Sequence, residues 1–215
     1  MNIKEVARLA RVSPATVSRV LNDNAAVDPL LRDKVLSVIE KHNYRPSRAA
    51  RNLKSGKTNT IGLVVSDLSD WYYSNLTKAV GDSLRENNYS LFICSTDEDP
   101  AKEREYLDLL VDKQVDGILL NTAGRNDAFI CELSRRTPLV LVNRRVEGDG
   151  LLCDFIDSGN MESAEMMADH LIRHGHRRIG IINGNPHVST ARERLRGFAA
   201  AMRRIDVTVG DDYPY

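Results

Sequence analysis

No stretch of this chain approaches the roughly 20 consecutive apolar residues a membrane-spanning helix needs, and no secretory leader opens it. Cysteine is scarce. Cys94, Cys131 and Cys153 lie far apart and form no C-x-x-C pair, which argues against a disulfide framework or a thiolate zinc centre and suits buried thiols in a reducing cytoplasm. His174 and His176 make an H-x-H, but no further ligands follow at zinc spacing, so no metal is expected. The dinucleotide fingerprint G-x-G-x-x-G, the phosphate loop and the G-x-S-x-G nucleophile elbow are all missing. Asp67, Asp70, Asp97 and Asp99 fall near strand ends, where carboxylates more often cap helices than hold a catalytic metal. No cofactor is implied, and the chain is read as a non-enzyme.

Net charge is also absent, with 30 Lys/Arg against 30 Asp/Glu in 215 residues. The balance hides an asymmetry: residues 1–58 hold twelve basic and five acidic side chains, and the remainder holds eighteen and twenty-five. A basic head on an acidic body is the charge pattern of a nucleic-acid-binding module joined to something else.

The head has the local grammar of two short helices. Asn2 with Glu5 makes a capping-box pair, followed by Val6, Leu9 and Ala10 at helical spacing. Ser13 caps a second helix with Pro14 in its first position, and Val17, Val20 and Leu21 form its apolar face. Only Arg11-Val12 separates the two, so they must fold back across a tight turn. A helix–turn–helix has this anatomy, and its second helix enters a major groove. Ser13, Thr16 and Ser18 can hydrogen-bond phosphates or base edges, and Arg19 can meet guanine through two parallel bonds. A small helical hairpin with a solvated basic face would share the pattern. Asp28-Pro29 starts a third helix, with Leu31, Val35, Val38 and Ile39 on one face, running to about Asn43. Between Ser47 and Gly56 a further short helix would carry only Leu53 and two alanines as apolar cover, too little to fold alone, so by itself this stretch reads as a basic linker.

From Thr60 the pattern changes to apolar strands at 61–65, 91–94, 117–120, 139–142 and 179–182. These alternate with helices near 74–87, 101–113, 126–135, 160–174 and 190–204, and 152–156 is a further short strand. Such alternation predicts a doubly wound parallel α/β sheet, with ligands beyond the carboxyl ends of its strands. The strand at 179–182 and its helix start a second sheet just before the sequence stops. One strand makes no lobe, so the sequence is read as a fragment, or its tail as poorly ordered or shielded by a partner.

The segments Ile3–Ala10 and Val12–Asn22, then Asn43–Leu53, Thr60–Val64, Gly175–Ile179 and Ala191–Phe198, together resemble the lactose-repressor/galactose-repressor family of bacterial transcription regulators. The resemblance implies a headpiece at 1–46 and a hinge at 47–58. It also implies a periplasmic-binding-protein-like effector domain, with its first lobe at 59–157 and the incomplete start of a second at 158–215. It places Ser13, Ala15, Thr16, Ser18, Arg19 and Asn22 at the major groove. A hinge helix would enter the minor groove through Leu53, with Ala50 and Lys54 beside it, folding only when two subunits meet on palindromic DNA. In the cleft it implies Trp71 and Tyr72 as loop aromatics over the ligand, Asn121 and Asn143 at strand ends, and Arg194 as a hydroxyl-binding arginine. Ordinary loop packing for Trp71, and capping or turning for the two asparagines, remain open. The expected partners are a double-stranded operator, a sugar or related metabolite, and further copies of the chain in a dimer or higher oligomer, in the bacterial cytoplasm. A solute-binding protein of sugar transport is the alternative, although the basic head has no task there. Three departures from the family pattern stand out. Arg11 occupies the turn position often held by glycine, Asp70-Trp71 replaces the usual Asn-Pro, and the rest of the second lobe, which would supply the other wall of the cleft, does not follow.

Overall fold

The computed structural model describes residues 1–22, 27–45 and 56–210. It divides into two compact units, Met1–Thr58 and Asn59–Tyr215.

In the first unit, α1 (Ile3–Ala10) opens on the capping box: the Glu5 N–H donates to Asn2 Oδ1 at 3.0 Å and the Asn2 N–H to Glu5 Oε2 at 2.7 Å. The helix ends on Arg11, which adopts φ 56° and ψ 44°, the left-handed conformation that glycine takes without steric cost. Ser13 then caps α2 (Pro14–Leu21), its Oγ accepting the Thr16 N–H at 3.1 Å. Asp28 caps α3 (Pro29–Lys41) by accepting from the Leu30 and Leu31 N–H groups. A cap contributes about 1 kcal/mol, and helices of eight residues do not persist alone in water. Tertiary burial supplies the rest: Val6, Val17 and Val35 are fully buried, with Ala7, Ala10 and Val20 closing the same cluster.

The second unit is built on a five-stranded sheet of order β2-β1-β3-β4-β5, every pair parallel. The elements are β1 (Thr60–Val65), α4 (Trp71–Glu86), β2 (Ser90–Ser95), α5 (Pro100–Asp112), β3 (Gly117–Leu120), α6 (Asp127–Ser134), β4 (Leu139–Val142) and β5 (Asp154–Ile156). Val64, Cys94, Ile118, Leu120 and Leu141 face one way, against Leu107 and Leu110 of α5 and Ile130 and Leu133 of α6. Leu63 and Val65 face the other way, against Tyr73, Leu76 and Val80 of α4. Gly62 is needed on the first face, because a Cβ there would stand 2.6 Å from a Leu110 methyl.

Two helices follow, α7 (Asn160–Arg173) and α8 (Ser189–Arg203), packed around Ala168, Phe198, Ala201 and Met202. Gly197 lets them touch, since a Cβ there would sit on the Met161 carbonyl oxygen. Two expectations need correction. Residues 179–182 form no ladder: Ile179 and Ile181 pack on the α7–α8 cluster, Ile182 is 99% exposed, and no described strand lies beside them. A strand exists only through a partner's hydrogen bonds. Trp71 and Tyr72 are the first residues of α4 and not of a loop, because Asp70 caps the helix by accepting the Tyr72 N–H at 2.6 Å.

Arg11→Gly is expected to stabilise the first unit by about 0.5–1 kcal/mol through relief of the left-handed backbone, read as a later denaturation midpoint. Gly197→Ala should destabilise the second unit by about 2 kcal/mol, because its obstacle is backbone and cannot rotate away.

Candidate nucleic-acid interface and effector site

The surface of α2 sorts cleanly by side chain. Val17 and Val20 point into the three-helix core, whereas Ser13, Ala15, Arg19 and Asn22 are exposed and Thr16 and Ser18 are half-buried. The Ser13 hydroxyl is already engaged, accepting the Thr16 N–H and lying 2.9 Å from Thr16 Oγ1, so its first task is to hold the helix start. Arg19 has no ion pair among the described residues and extends from the last turn of α2. A rigid helix with short hydroxyls and a free forked cation on one face can read base edges in a groove wide enough to admit it. Ala50, Leu53 and Lys54 lie outside the described residues.

In the second unit the carboxyl ends of β1, β3 and β4 carry Ser66, Asn121 and Asn143. Asn121 is fully buried and braces the edge: its Oδ1 accepts from Ser66 Oγ at 2.6 Å and its Nδ2 donates to the Val142 carbonyl at 2.9 Å. Asn143 takes φ 63°, and its Oδ1 accepts from Ser158 Oγ at 2.6 Å and Asn160 Nδ2 at 2.8 Å. Asn160 Oδ1 in turn accepts from Arg194 Nη1 at 3.2 Å, and Arg194 Nε donates to Asn183 Oδ1 at 3.4 Å. Asn143 and Arg194 are thus brought together through Asn160, which sequence reasoning missed. Tyr72 stacks edge-on against Tyr73, with ring centroids 5.1 Å apart, and burial, Tyr73 and Asp157 push its hydroxyl above the usual phenol range. Trp71 is 79% exposed.

The residues match two linked families. Residues 2–47 match the bacterial regulatory proteins of the lacI family, and residues 58–211 match the periplasmic binding proteins and sugar binding domain of the LacI family. The chain belongs to the LacI family. It is 33% identical over 211 residues to the HTH-type transcriptional repressor PurR of Aliivibrio salmonicida, covering 98% of this chain and 63% of that protein. It is 35% identical over 213 residues to PurR of Haemophilus influenzae, covering 98% and 62%. This LacI-family chain therefore spans a little under two thirds of the length of the curated relatives it matches. Among solved structures, the CelR–cellobiose complex shares 26% identity at TM-score 0.64, covering all of this chain and 64% of that one. The lac repressor dimer bound to operator and the anti-inducer ONPF superimposes at TM-score 0.81 with 23% identity, over 97% of this chain and 63% of that one. That last likeness is one of fold.

Around the carboxyl edge of the sheet the structure adds groups that no motif announced. Glu103 of α5 is fully buried and accepts from Thr122 Oγ1, the Ala123 N–H and Asn126 Nδ2 at 3.2, 2.6 and 2.8 Å, fixing the loop after β3. Its signal was present: Glu103, Leu107 and Leu110 share one stripe of α5, where an acid is out of place. Arg144 is buried and bonds both Glu98 carboxylate oxygens at 2.7 Å and the Thr122 carbonyl at 3.0 Å. The carboxylates that hinted at a metal have other tasks. Asp99 caps α5, Asp67 accepts from Ser69, and Asp97 pairs with Lys102 at 2.6 Å. His174 Nδ1 lies 2.8 Å from the His170 carbonyl, and no group of three metal-binding side chains occurs among the described residues. Among those residues, too, no helix is long and apolar enough to cross a membrane.

Desolvation raises the Glu103 carboxyl above the usual carboxylate range and outweighs the hydrogen bonds that lower it. A raised acid holds its proton longer in the folded than in the unfolded chain, so its contribution to stability is lost as pH rises through the folded pKa. Glu103→Gln is expected to flatten that decline between mildly acidic and neutral pH, measured as denaturation free energy at each pH. An unchanged slope would mean that Glu103 ionises inside the fold at no cost.

Proposed function

We propose that this protein is a sequence-specific DNA-binding transcriptional repressor whose hold on its operator is governed by a small molecule, a sugar or related metabolite, bound in the second unit. The observation that carries this reading is the exposed polar face of α2, set on a three-helix core in a unit with twelve basic against five acidic side chains, in a chain of the LacI family. Arg19, Ser18, Thr16 and Ala15 face bases and phosphates, Ser13 secures the helix start, and Asn22 sits at its end. A palindromic operator would engage two copies, with Ala50, Leu53 and Lys54 of each hinge in the minor groove, inside the bacterial cytoplasm. The role is regulatory and not catalytic.

Effector control requires two states that bind the effector with different affinity. The Asn143–Asn160–Arg194 string supports this placement, because it joins the end of β4 to the α7–α8 pair and presents polar groups that a hydroxylated ligand can exchange for its own. Trp71 and Tyr72 are the aromatic side of the same reading.

The operator is accessible by selecting bound duplexes from a random pool. On the selected duplex Arg19→Ala should cost about 1–3 kcal/mol and relax the preference at one base pair. Uniform weakening across all sequences would make Arg19 a phosphate contact only.

A further inference from the structure

The first turn of α2 differs chemically from the rest of its accessible side. Ser13, Pro14, Ala15 and Arg19 are exposed, Thr16 and Ser18 are half-buried, and Val17 and Val20 belong to the core. The two hydroxyls nearest the helix start are turned on each other. Ser13 Oγ accepts the Thr16 N–H at 3.1 Å and lies 2.9 Å from Thr16 Oγ1, so one hydroxyl proton is spent between them and the cap holds both oxygens in place. Past the cap, the first turn shows solvent the Pro14 ring and the Ala15 methyl, neither of which can form a side-chain hydrogen bond. Side-chain polar groups outside the cap return at Ser18 and Arg19, three and four residues after Ala15 and therefore on the same stripe of the helix.

A recognition helix meets base edges chiefly with its N-terminal residues. In the major groove guanine, adenine and cytosine present only hydrogen-bonding groups, whereas thymine adds a C5 methyl beside its O4. An alanine methyl set against a donor or acceptor strips its water and returns no bond, which costs free energy. Set against another methyl, it takes apolar surface out of water and stabilises the complex.

We propose that Ala15 is a specificity-determining residue that reads a pyrimidine C5 methyl, so that each operator half-site carries a thymine under the first turn of α2, close to the base pair that Arg19 meets. The assignment rests on the DNA-binding role proposed above and gives that role its base chemistry. The group recognised is the methyl and not the A·T pair. A 5-methylcytosine, which carries the same methyl on a different pair, fits the same contact.

The test uses the full 215-residue chain and the duplex selected from a random pool, with affinities read by fluorescence anisotropy at one salt concentration. Each thymine of the half-site is replaced in turn by deoxyuridine, which removes the methyl and keeps the pairing. The sensitive thymine is then replaced by cytosine and by 5-methylcytosine. Loss of the methyl at one thymine is expected to weaken binding by about fourfold per half-site, the worth of one buried methyl group. Binding to 5-methylcytosine should exceed binding to cytosine by a similar factor. Ala15→Gly and Ala15→Asn should bind the thymine and deoxyuridine duplexes equally, with unchanged circular dichroism, and the base substitutions leave the protein itself untouched. A half-site without thymine, equal affinity for thymine and deoxyuridine at every position, a methyl effect that does not return with 5-methylcytosine, or an undiminished effect in the Ala15 variants overturns the assignment and leaves DNA binding standing. A pool that yields no preferred duplex removes the DNA-binding role, and this assignment with it.

Discussion

Everything the first unit can do depends on a shared core too small to divide. Helices of eight, eight and thirteen residues are held by one another through Val6, Val17, Val20 and Val35, and none of them buries enough surface to stand alone. The constraint runs from sequence to function. The same spacing that turns Val17 and Val20 inward leaves Ala15 and Arg19 exposed and Thr16 and Ser18 half-buried, so the core face and the face proposed to read DNA are two sides of one short helix. The tight turn that folds α2 back on α1 passes through Arg11 in a conformation that L-residues disfavour, and the core tolerates that strain.

The second unit solves a different problem at the carboxyl edge of its sheet, where backbone and side-chain polar groups are buried together. Several are partnered across chain segments: Ser66 to Asn121 to the Val142 carbonyl, Ser158 and Asn160 to Asn143, and Glu103 to three donors of the loop after β3. A satisfied polar network in a low-dielectric setting holds a single arrangement, because breaking one bond strands its neighbour. That rigidity gives the edge a defined shape.

Local signals were legible in the sequence because their causes are local. Asn2 with Glu5, Ser13 with Pro14, and Asp28 with Pro29 mark helix starts through bonds that span three residues or fewer, and all three appear as read. The apolar runs at 61–65, 91–94, 117–120 and 139–142 became parallel strands because each found a neighbour elsewhere in the chain, Ile61 beside Leu91 and Gly117 among them. The stretch 179–182 has the same composition and is no strand, since its character would depend on a neighbour that composition does not contain. Trp71 opens a helix and does not lie in a loop, because Asp70 accepts the Tyr72 N–H at the helix start. At the site, Asn143 and Arg194 could be named from resemblance, but Asn160 between them could not, because its role exists only once α7 begins beside β4. Arg144 escaped notice beside Arg145, and the fold alone distinguishes the buried member of that pair from the half-exposed one.

The central claim is that the basic first unit grips double-stranded DNA through its phosphates and reads it through α2. The most direct measurement is the affinity of the chain for its selected duplex across a salt series, beside a scrambled duplex of equal length. The account predicts a steep linear fall of log affinity with log salt, since several Lys and Arg side chains displace counterions, together with preference for the selected sequence at every salt concentration. A flat salt profile, or equal affinity for the scrambled duplex at low ionic strength, would contradict it.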